Sequence, residues 1–253
     1  MRLNGAVAVI TGAAGNIGLQ ATRAFLSEGA KVLMVDRDAA ALEQAQAGLD
    51  PERSAICVAD VTRAEDVAAY AETAVQTFGP IGIFFNNAGI EGPVAPITEY
   101  PEDAFQKVMA VNVFGVFLGM KYVIPKMRDG GSVIVTSSTA GLTAAPALVG
   151  YSTSKHAVIG IARSAAIDSA PRGIRVNTVH PAMVESEMLH RIEAAIAGPD
   201  DTAAARNSFL SRMALGRYVT PEEVIDMVVF LASDESRMVT GSQFVIDAGY
   251  MIS

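Results

Sequence analysis

Tyr151 and Lys155 stand four positions apart in the run Tyr-Ser-Thr-Ser-Lys, and Ser138 lies thirteen residues upstream. On a helix, positions four apart share a face, so the ammonium of Lys155 sits beside the Tyr151 phenol. A fixed positive charge favours the phenolate and draws the tyrosine toward a pKa useful near neutrality, which makes the pair an acid/base device. A hydroxyl such as Ser138 at the same place could donate to a substrate oxygen as charge develops on it. The competing reading of Ser138 is a serine in a strand-end turn, flanked as it is by Ser137 and Thr139.

These side chains need a scaffold, and the other end of the chain supplies its first element. The apolar run Ala6 to Ile10 feeds Thr11-Gly-Ala-Ala-Gly-Asn-Ile-Gly18 and then a helical pattern from Leu19 to Glu28. Strand, glycine-rich turn and helix N-terminus form a cradle for the phosphates of a dinucleotide. Gly12 gives the tight exit from the strand, and Gly18 lets the helix approach the sheet. A second apolar run, Lys31 to Val35, ends at Asp36, about twenty residues on, where a carboxylate accepts from the adenosine ribose hydroxyls and repels a 2'-phosphate. NAD is therefore expected over NADP, with Arg37 as a complication because it could grip a phosphate if Asp36 turned away.

Taken in order, these motifs resemble the short-chain dehydrogenase/reductase family over essentially the whole chain. Its Thr-Gly-x-x-x-Gly-x-Gly turn is altered here, since Gly15-Asn16 stand where any residue and glycine are usual; Asn16 is expected to tolerate a left-handed backbone. The resemblance implies that Gly12, Asn16, Ile17, Gly18, Asp36 and Arg37 hold the adenosine side and its phosphates. It also implies that Asp60 and Val61 meet the adenine ring and that Asn87, Ala88 and Gly89, after Asn86, steady the sheet beside the cofactor. Pro181, Val184 and Ser186 look like its nicotinamide contacts, with Pro181-Ala182 in place of Pro-Gly. Asn112, in Val-Asn-Val, would complete a catalytic set with Ser138, Tyr151 and Lys155, the last two also touching the cofactor. On sequence alone, a side-chain amide packing within a helix is an equal reading of Asn112.

Apolar runs alternate with helical segments: Ala6 to Ile10, Lys31 to Val35, Ala55 to Ala59, Ile81 to Phe85, Ser132 to Thr136, Ile174 to Val179 and Phe244 to Ile246. Connections long enough for helices imply an α/β fold with a parallel sheet covered on both faces. Right-handed crossovers and the family's pattern give a Rossmann-type doubly wound sheet of seven strands in the order 3-2-1-4-5-6-7. One catalytic domain over 1–253 is expected, with a substrate lid at about 185–217.

Composition narrows the partners. A formal charge of -8 argues against nucleic acid, which selects clustered Lys and Arg. The N-terminal apolar run is too short for a signal peptide, no apolar stretch reaches the twenty or so residues of a membrane span, and a cytoplasmic location is the default. The single cysteine, Cys57, reads as a buried strand residue. His156, His180 and His190 lack metal-ligand spacing, so no metal is expected. His190 falls in the lid, where a solvated histidine is the commoner case.

Within the lid Met183, Met188, Leu189, Ile192, Ile196, Phe209, Leu210 and Met213 recur at near-helical spacing and offer an apolar wall, although packing of the lid onto the body accounts for many of them equally well. Val94, Leu142 and Leu148 are expected to add apolar surface near Ser138. No basic residue is clearly placed to hold a substrate carboxylate or phosphate, Arg191 being the one left open. The expected reaction is NAD-dependent interconversion of a hydrophobic secondary alcohol and its ketone, with Tyr151 as general acid/base. Its alternatives are an NADPH-dependent biosynthetic ketone reductase and, from a different class, a dinucleotide-binding sensor or scaffold without turnover. Val116, Phe117 and Met120 on one helix and Ile161, Ala165 and Ala166 on another exceed what the sheet needs; by resemblance they imply a homotetramer.

Overall fold

The computed structural model describes residues 1–198 and 201–253. Strand β1 (Val7–Thr11) is buried along its length, as a central parallel strand must be when both faces are covered. Its side chains alternate between two cores. Ala8 and Ile10 join one cluster, and Val9 joins the other. The same alternation runs through β2 (Lys31–Asp36), where Val32 and Met34 face one way and Leu33 and Val35 the other.

Around these strands lie β3 (Ser54–Val58), β4 (Ile81–Asn86), β5 (Met127–Thr136), β6 (Arg175–Pro181) and β7 (Gln243–Ile246). All pairings are parallel, and the order is β3-β2-β1-β4-β5-β6-β7, with the reversal between β1 and β4. That reversal opens a crevice beyond the strand C-termini. On one face the core takes Phe25 from α1 (Asn16–Ser27), Leu42 from α2 (Ala39–Gln46) and Val228 from α9 (Pro221–Ala232). On the other it takes Tyr70 from α3 (Ala64–Phe78), Val123 from α5 (Gly115–Val123) and Val158 from α6 (Val149–Ser169). A further helix, α4 (Glu102–Met109), runs through a five-residue π-turn at Ala110–Phe114 into α5.

Between β6 and α9 lie α7 (Glu187–Ala197) and α8 (Thr202–Leu210). This is the segment expected at 185–217, of which Pro199 and Asp200 lie outside the described residues. Its base is closed by a bridge between Val184 and Val219.

Four details differ from the sequence expectations. β5 starts at Met127 rather than Ser132, because Met127 pairs with Ile81 before a register shift at the Gly130-Gly131 bulge. Cys57 is only half-buried, because β3 is an edge strand. Val116, Met120 and Ala166 lie inside the core, so Phe117 with its stacked neighbour Phe114, and Ile167 on α6, carry the exposed apolar surface of those helices. The stretch Glu102–Lys126 forms a continuous helix long and apolar enough to cross a bilayer by length and composition, which corrects the expectation that none does. Here its apolar residues Leu118 and Val123 are buried against the sheet.

α5 lies close to β4 because Gly119 has no side chain. A Cβ there would stand 2.6 Å from Asn86 Nδ2 and 2.8 Å from Phe84 Cζ. Overpacking of this kind costs about 1–3 kcal/mol, so Gly119→Ala should lower the urea midpoint correspondingly; an unchanged midpoint would show that the contact yields freely.

Candidate active site

The site is assembled where β5 and α6 meet. Ser138, two residues beyond β5, is buried; its Oγ accepts from Ala140 N at 3.1 Å and donates to Pro181 O at 3.3 Å. It is thus the turn serine of the alternative reading, and its hydroxyl also faces the Tyr151 phenol. Lys155, on the same face of α6 as Tyr151, is buried; its Nζ donates to Thr136 O at 2.8 Å and lies 5.5 Å from the Tyr151 ring centroid. Ser137 Oγ donates to Lys155 O at 2.8 Å, fastening the helix to the strand end.

Burial governs the electrostatics. It raises the Tyr151 phenol above its ordinary value, while the Ser138 hydroxyl works in the opposite direction and nearby Glu91 adds to the rise. Tyr151 keeps some surface open to the cleft, but protein surrounds the ring closely enough for desolvation to win. Lys155 is brought down to about 8 by desolvation. The expected pull of Lys155 does not govern the phenol here: desolvation does, and the ammonium donates to the Thr136 carbonyl.

Asn112 occupies the centre of the π-turn and is buried. Its Oδ1 accepts from Ile90 N at 2.8 Å, and its Nδ2 donates to Ile90 O and Ser154 Oγ, both at 2.9 Å. Ser154 Oγ in turn donates to Tyr151 O at 2.7 Å, so the amide clamps α6 between Tyr151 and Lys155. The π-turn, a single-turn device common at functional sites, sets Asn112 in place.

The glycine turn lies across the crevice. Gly12 has φ 65°, and a Cβ there would stand 3.0 Å from Ala88 Cα; a Cβ on Gly18 would stand 2.1 Å from Gly12 O. Asn16 departs from the expectation: it is the first residue of α1 and its backbone is not left-handed. Its side chain instead donates to Glu185 O at 2.8 Å, tying the turn to the base of α7. Asp36 Oδ2 accepts from Ala14 N at 3.2 Å and Oδ1 from Arg37 N at 2.8 Å, which fixes the carboxylate at the mouth of the turn. Asn87 bridges strands, with Nδ2 donating to Thr11 O at 3.1 Å and Oδ1 accepting from Thr136 Oγ1 at 2.9 Å.

Two cavities flank this centre. One, of about 280 Å³, is lined by Gly12, Asp36, Arg37, Asp60, Val61, Ala88 and Gly89 among others. The other, of about 350 Å³, takes in Ser138, Tyr151, Pro181, Val184 and Ser186, together with Ile17 and the apolar Leu148, Met183, Met188 and Leu189.

The family model described as enoyl-(acyl carrier protein) reductase, adh_short_C2, matches residues 12–251. The chain belongs to the short-chain dehydrogenase/reductase family. It is similar to a 3-alpha-(or 20-beta)-hydroxysteroid dehydrogenase of Mycobacterium bovis (strain ATCC BAA-935 / AF2122/97), 38% identical over 98% of this chain and 90% of that one. Among solved structures it is similar to levodione reductase, with a TM-score of 0.94 and 32% identity over 98% of both chains. An NAD+-bound xylitol dehydrogenase matches with a TM-score of 0.92 and 33% identity over 97% of this chain and 99% of that one.

The residues present fit the nicotinamide dinucleotide that short-chain dehydrogenases/reductases use. The first turn of α1 has no capping side chain and no acidic residue, so its N–H groups point into the turn unclaimed by any side chain. A Cβ on Gly89 would stand 3.3 Å from Asn112 Oδ1 and 3.4 Å from Lys155 Nζ, so the glycine keeps the two halves of the crevice joined.

Several expected residues hold other places. Val94 and Leu142 do not line the larger cavity: Val94 precedes Ala95, whose bridge to Leu148 brings Leu148 to the wall in its place, and Leu142 closes the short turn begun at Thr139. Arg191 is paired with Glu91 at 2.6 Å and His190 with Glu185 at 2.9 Å; neither lines that cavity. Among the described residues no group of three or more His, Cys, Asp or Glu is arranged to hold a metal.

Sequence reasoning passed over Ser154 and read His180 only as a histidine without metal-ligand spacing. His180 is fully buried; Nδ1 meets Ser138 O at 3.0 Å and Nε2 meets Thr178 Oγ1 at 2.7 Å, which supports Ser138 from behind. Desolvation lowers its pKa to about 4, so the native ring is neutral. As pH falls from 6.5 toward 4 the unfolded chain takes up a proton that the native state refuses, and stability is lost over that window. His180→Gln should make the urea midpoint fall less steeply between those pH values than in the unmutated protein, and an equal slope would remove His180 as the cause.

Proposed function

We propose that the protein is an NAD-dependent oxidoreductase that interconverts a hydrophobic secondary alcohol and its ketone. One observation carries this reading: Ser138 and Tyr151 line the apolar cavity, Lys155 lies on the same helix face as Tyr151, and a second cavity is lined by Asp36 and Gly89. Relatives of this chain are named as a hydroxysteroid dehydrogenase and a cyclohexanol dehydrogenase, which agrees with the apolar wall.

In oxidation Tyr151 takes the hydroxyl proton of the substrate, and in reduction it returns it. Ser138, turning its hydroxyl away from Pro181 O, donates to the same oxygen and holds it through the change from alcohol to carbonyl. When bound, the dinucleotide supplies the hydride acceptor or donor and, oxidised, a positive charge that favours the phenolate against the burial that opposes it. Lys155 binds its ribose hydroxyls. Asn112 maintains the spacing of Tyr151 and Lys155 and connects the proton path to solvent. Gly12, Asn16, Ile17 and Gly18 form the phosphate turn, Asp60 and Val61 border the adenine, Asn87, Ala88 and Gly89 back the cofactor, and Pro181, Val184 and Ser186 meet the nicotinamide end. Residues 185–217 act as the substrate lid. Exposed Phe114, Phe117 and Ile167, with Val245 and Ile252 near the C-terminus, support association of copies, which we read as a homotetramer; a cytoplasmic location is part of the same proposal.

Tyr151→Phe should lower turnover of a cyclic aliphatic alcohol about a hundredfold to ten-thousandfold, followed by NADH absorbance, while NADH binding is nearly unchanged. Retained turnover would take tyrosine out of the mechanism. Asp36 favours NAD, whereas the cations Arg37 and Lys107 on the same wall favour NADP. A lower Michaelis constant for NAD than for NADP is expected, with Asp36→Ala narrowing or reversing the difference; equal use of both by the unmutated protein would overturn the preference.

A further inference from the structure

Four arginines lie in the segment 185–217, and three are neutralised. Arg191 pairs with Glu91 at 2.6 Å, Arg206 with Glu185 at 2.8 Å, and Arg217 with Glu223. The fourth, Arg212, follows α8, and among the described residues no carboxylate lies within ion-pair distance of it. Its guanidinium rests 4.2 Å from the centroid of the buried Tyr250 ring, and Nη1 donates to Tyr250 Oη at 2.8 Å. A planar cation held against an aromatic face with one donor engaged keeps its other donors aimed in a fixed fork.

Arg212 is also the one charged residue on the wall of the 350 Å³ cavity that contains Ser138 and Tyr151. Most of the remaining lining is apolar, with Met183, Met188, Ile192, Ile196 and Phe209, although the hydroxyl residues Thr143, Ser186 and Ser208 also contribute. Arg212 is exposed, so water can serve its remaining donors; a substrate oxyanion reaching it would take the place of that water, whereas a wholly apolar substrate would give those donors no partner.

We propose that Arg212, backed by Tyr250, binds the carboxylate of a substrate whose reacting secondary alcohol or ketone is separated from that carboxylate by an apolar span. The proposal rests on the reading of this cavity as the substrate site. It narrows the substrate from a hydrophobic alcohol to an amphipathic hydroxy or keto acid, with Ser138 and Tyr151 for the reacting oxygen and Arg212 for the carboxylate.

The test compares octanoate bearing a hydroxyl on its penultimate carbon with its methyl ester. The unmutated enzyme should show the higher kcat/KM for the acid, and Arg212→Met should lower the acid-to-ester ratio about tenfold to a hundredfold, the range of a charged hydrogen bond. Arg212→Lys should recover part of the ratio, which a merely structural role would not give. A second arm needs no turnover: calorimetry of octanoate against the protein with NADH should show binding that Arg212→Met weakens by a similar factor. Preference of the unmutated enzyme for the ester, an unchanged ratio in Arg212→Met, or no binding of octanoate would each overturn the proposal. Octanoate binding that depends on Arg212, without oxidation of either alcohol, would uphold the carboxylate site and count against the hydride-transfer reading alone.

Discussion

A buried ammonium must find oxygen, and the place where Lys155 finds it determines much else in this molecule. Its Nζ reaches the Thr136 carbonyl at the end of β5. Because the side chain spans one helix and one strand end, α6 has little freedom to slide along the sheet. Ser137 donates back to the Lys155 carbonyl, and a Cβ on Gly141 would stand 2.6 Å from that same oxygen. The helix is thus pressed onto the turn that carries Ser138, and the relation of Tyr151 to Ser138 follows from the location of the lysine.

That arrangement sets burial against charge. The surroundings that hold the two side chains in place also desolvate them, raising Tyr151 and lowering Lys155 to about 8. Both shifts favour the neutral forms. A tyrosine kept protonated is a good donor to a carbonyl oxygen, and the same group becomes a base only when added positive charge compensates for the lost water. The free protein is therefore poised on the proton-donating side. Glu91 reinforces this bias.

The fold was legible because its signals are local and repeated. Seven apolar runs of strand length, separated by helical spacings, leave few arrangements for a parallel sheet, and Gly12, Asp36, Asn112, Ser138, Tyr151 and Lys155 each fall at a place that one element fixes. What escaped depends on contacts between distant parts of the chain. Cys57 reads as core within its strand, and only the strand order shows it to be at an edge. Val116 and Phe117 are adjacent and similar in character, yet the helix phase buries one and exposes the other. His180 has no local motif; its role is visible only when Thr178 and Ser138 converge on its two nitrogens. Arg212 looks like any of the four arginines in its segment until the carboxylates are assigned to the other three.

Asn16 shows how an altered motif can be informative in a direction that backbone arguments miss. The turn needs a positive φ at Gly12 and closeness at Gly18, and neither demand falls on residue 16. Position 16 is therefore free to carry a side chain, and the amide that stands there reaches Glu185 O. Glu185 also receives Arg206 and His190 through its carboxylate, while Arg206 lies over the Tyr218 ring and Tyr218 donates to buried Glu193 at 2.6 Å. One hydrogen-bonded chain thus connects the glycine turn to both helices of the segment that walls the apolar cavity. A glycine at this position would meet the backbone demands of the turn and remove the side-chain hydrogen bond that, among the described residues, joins the turn to that segment.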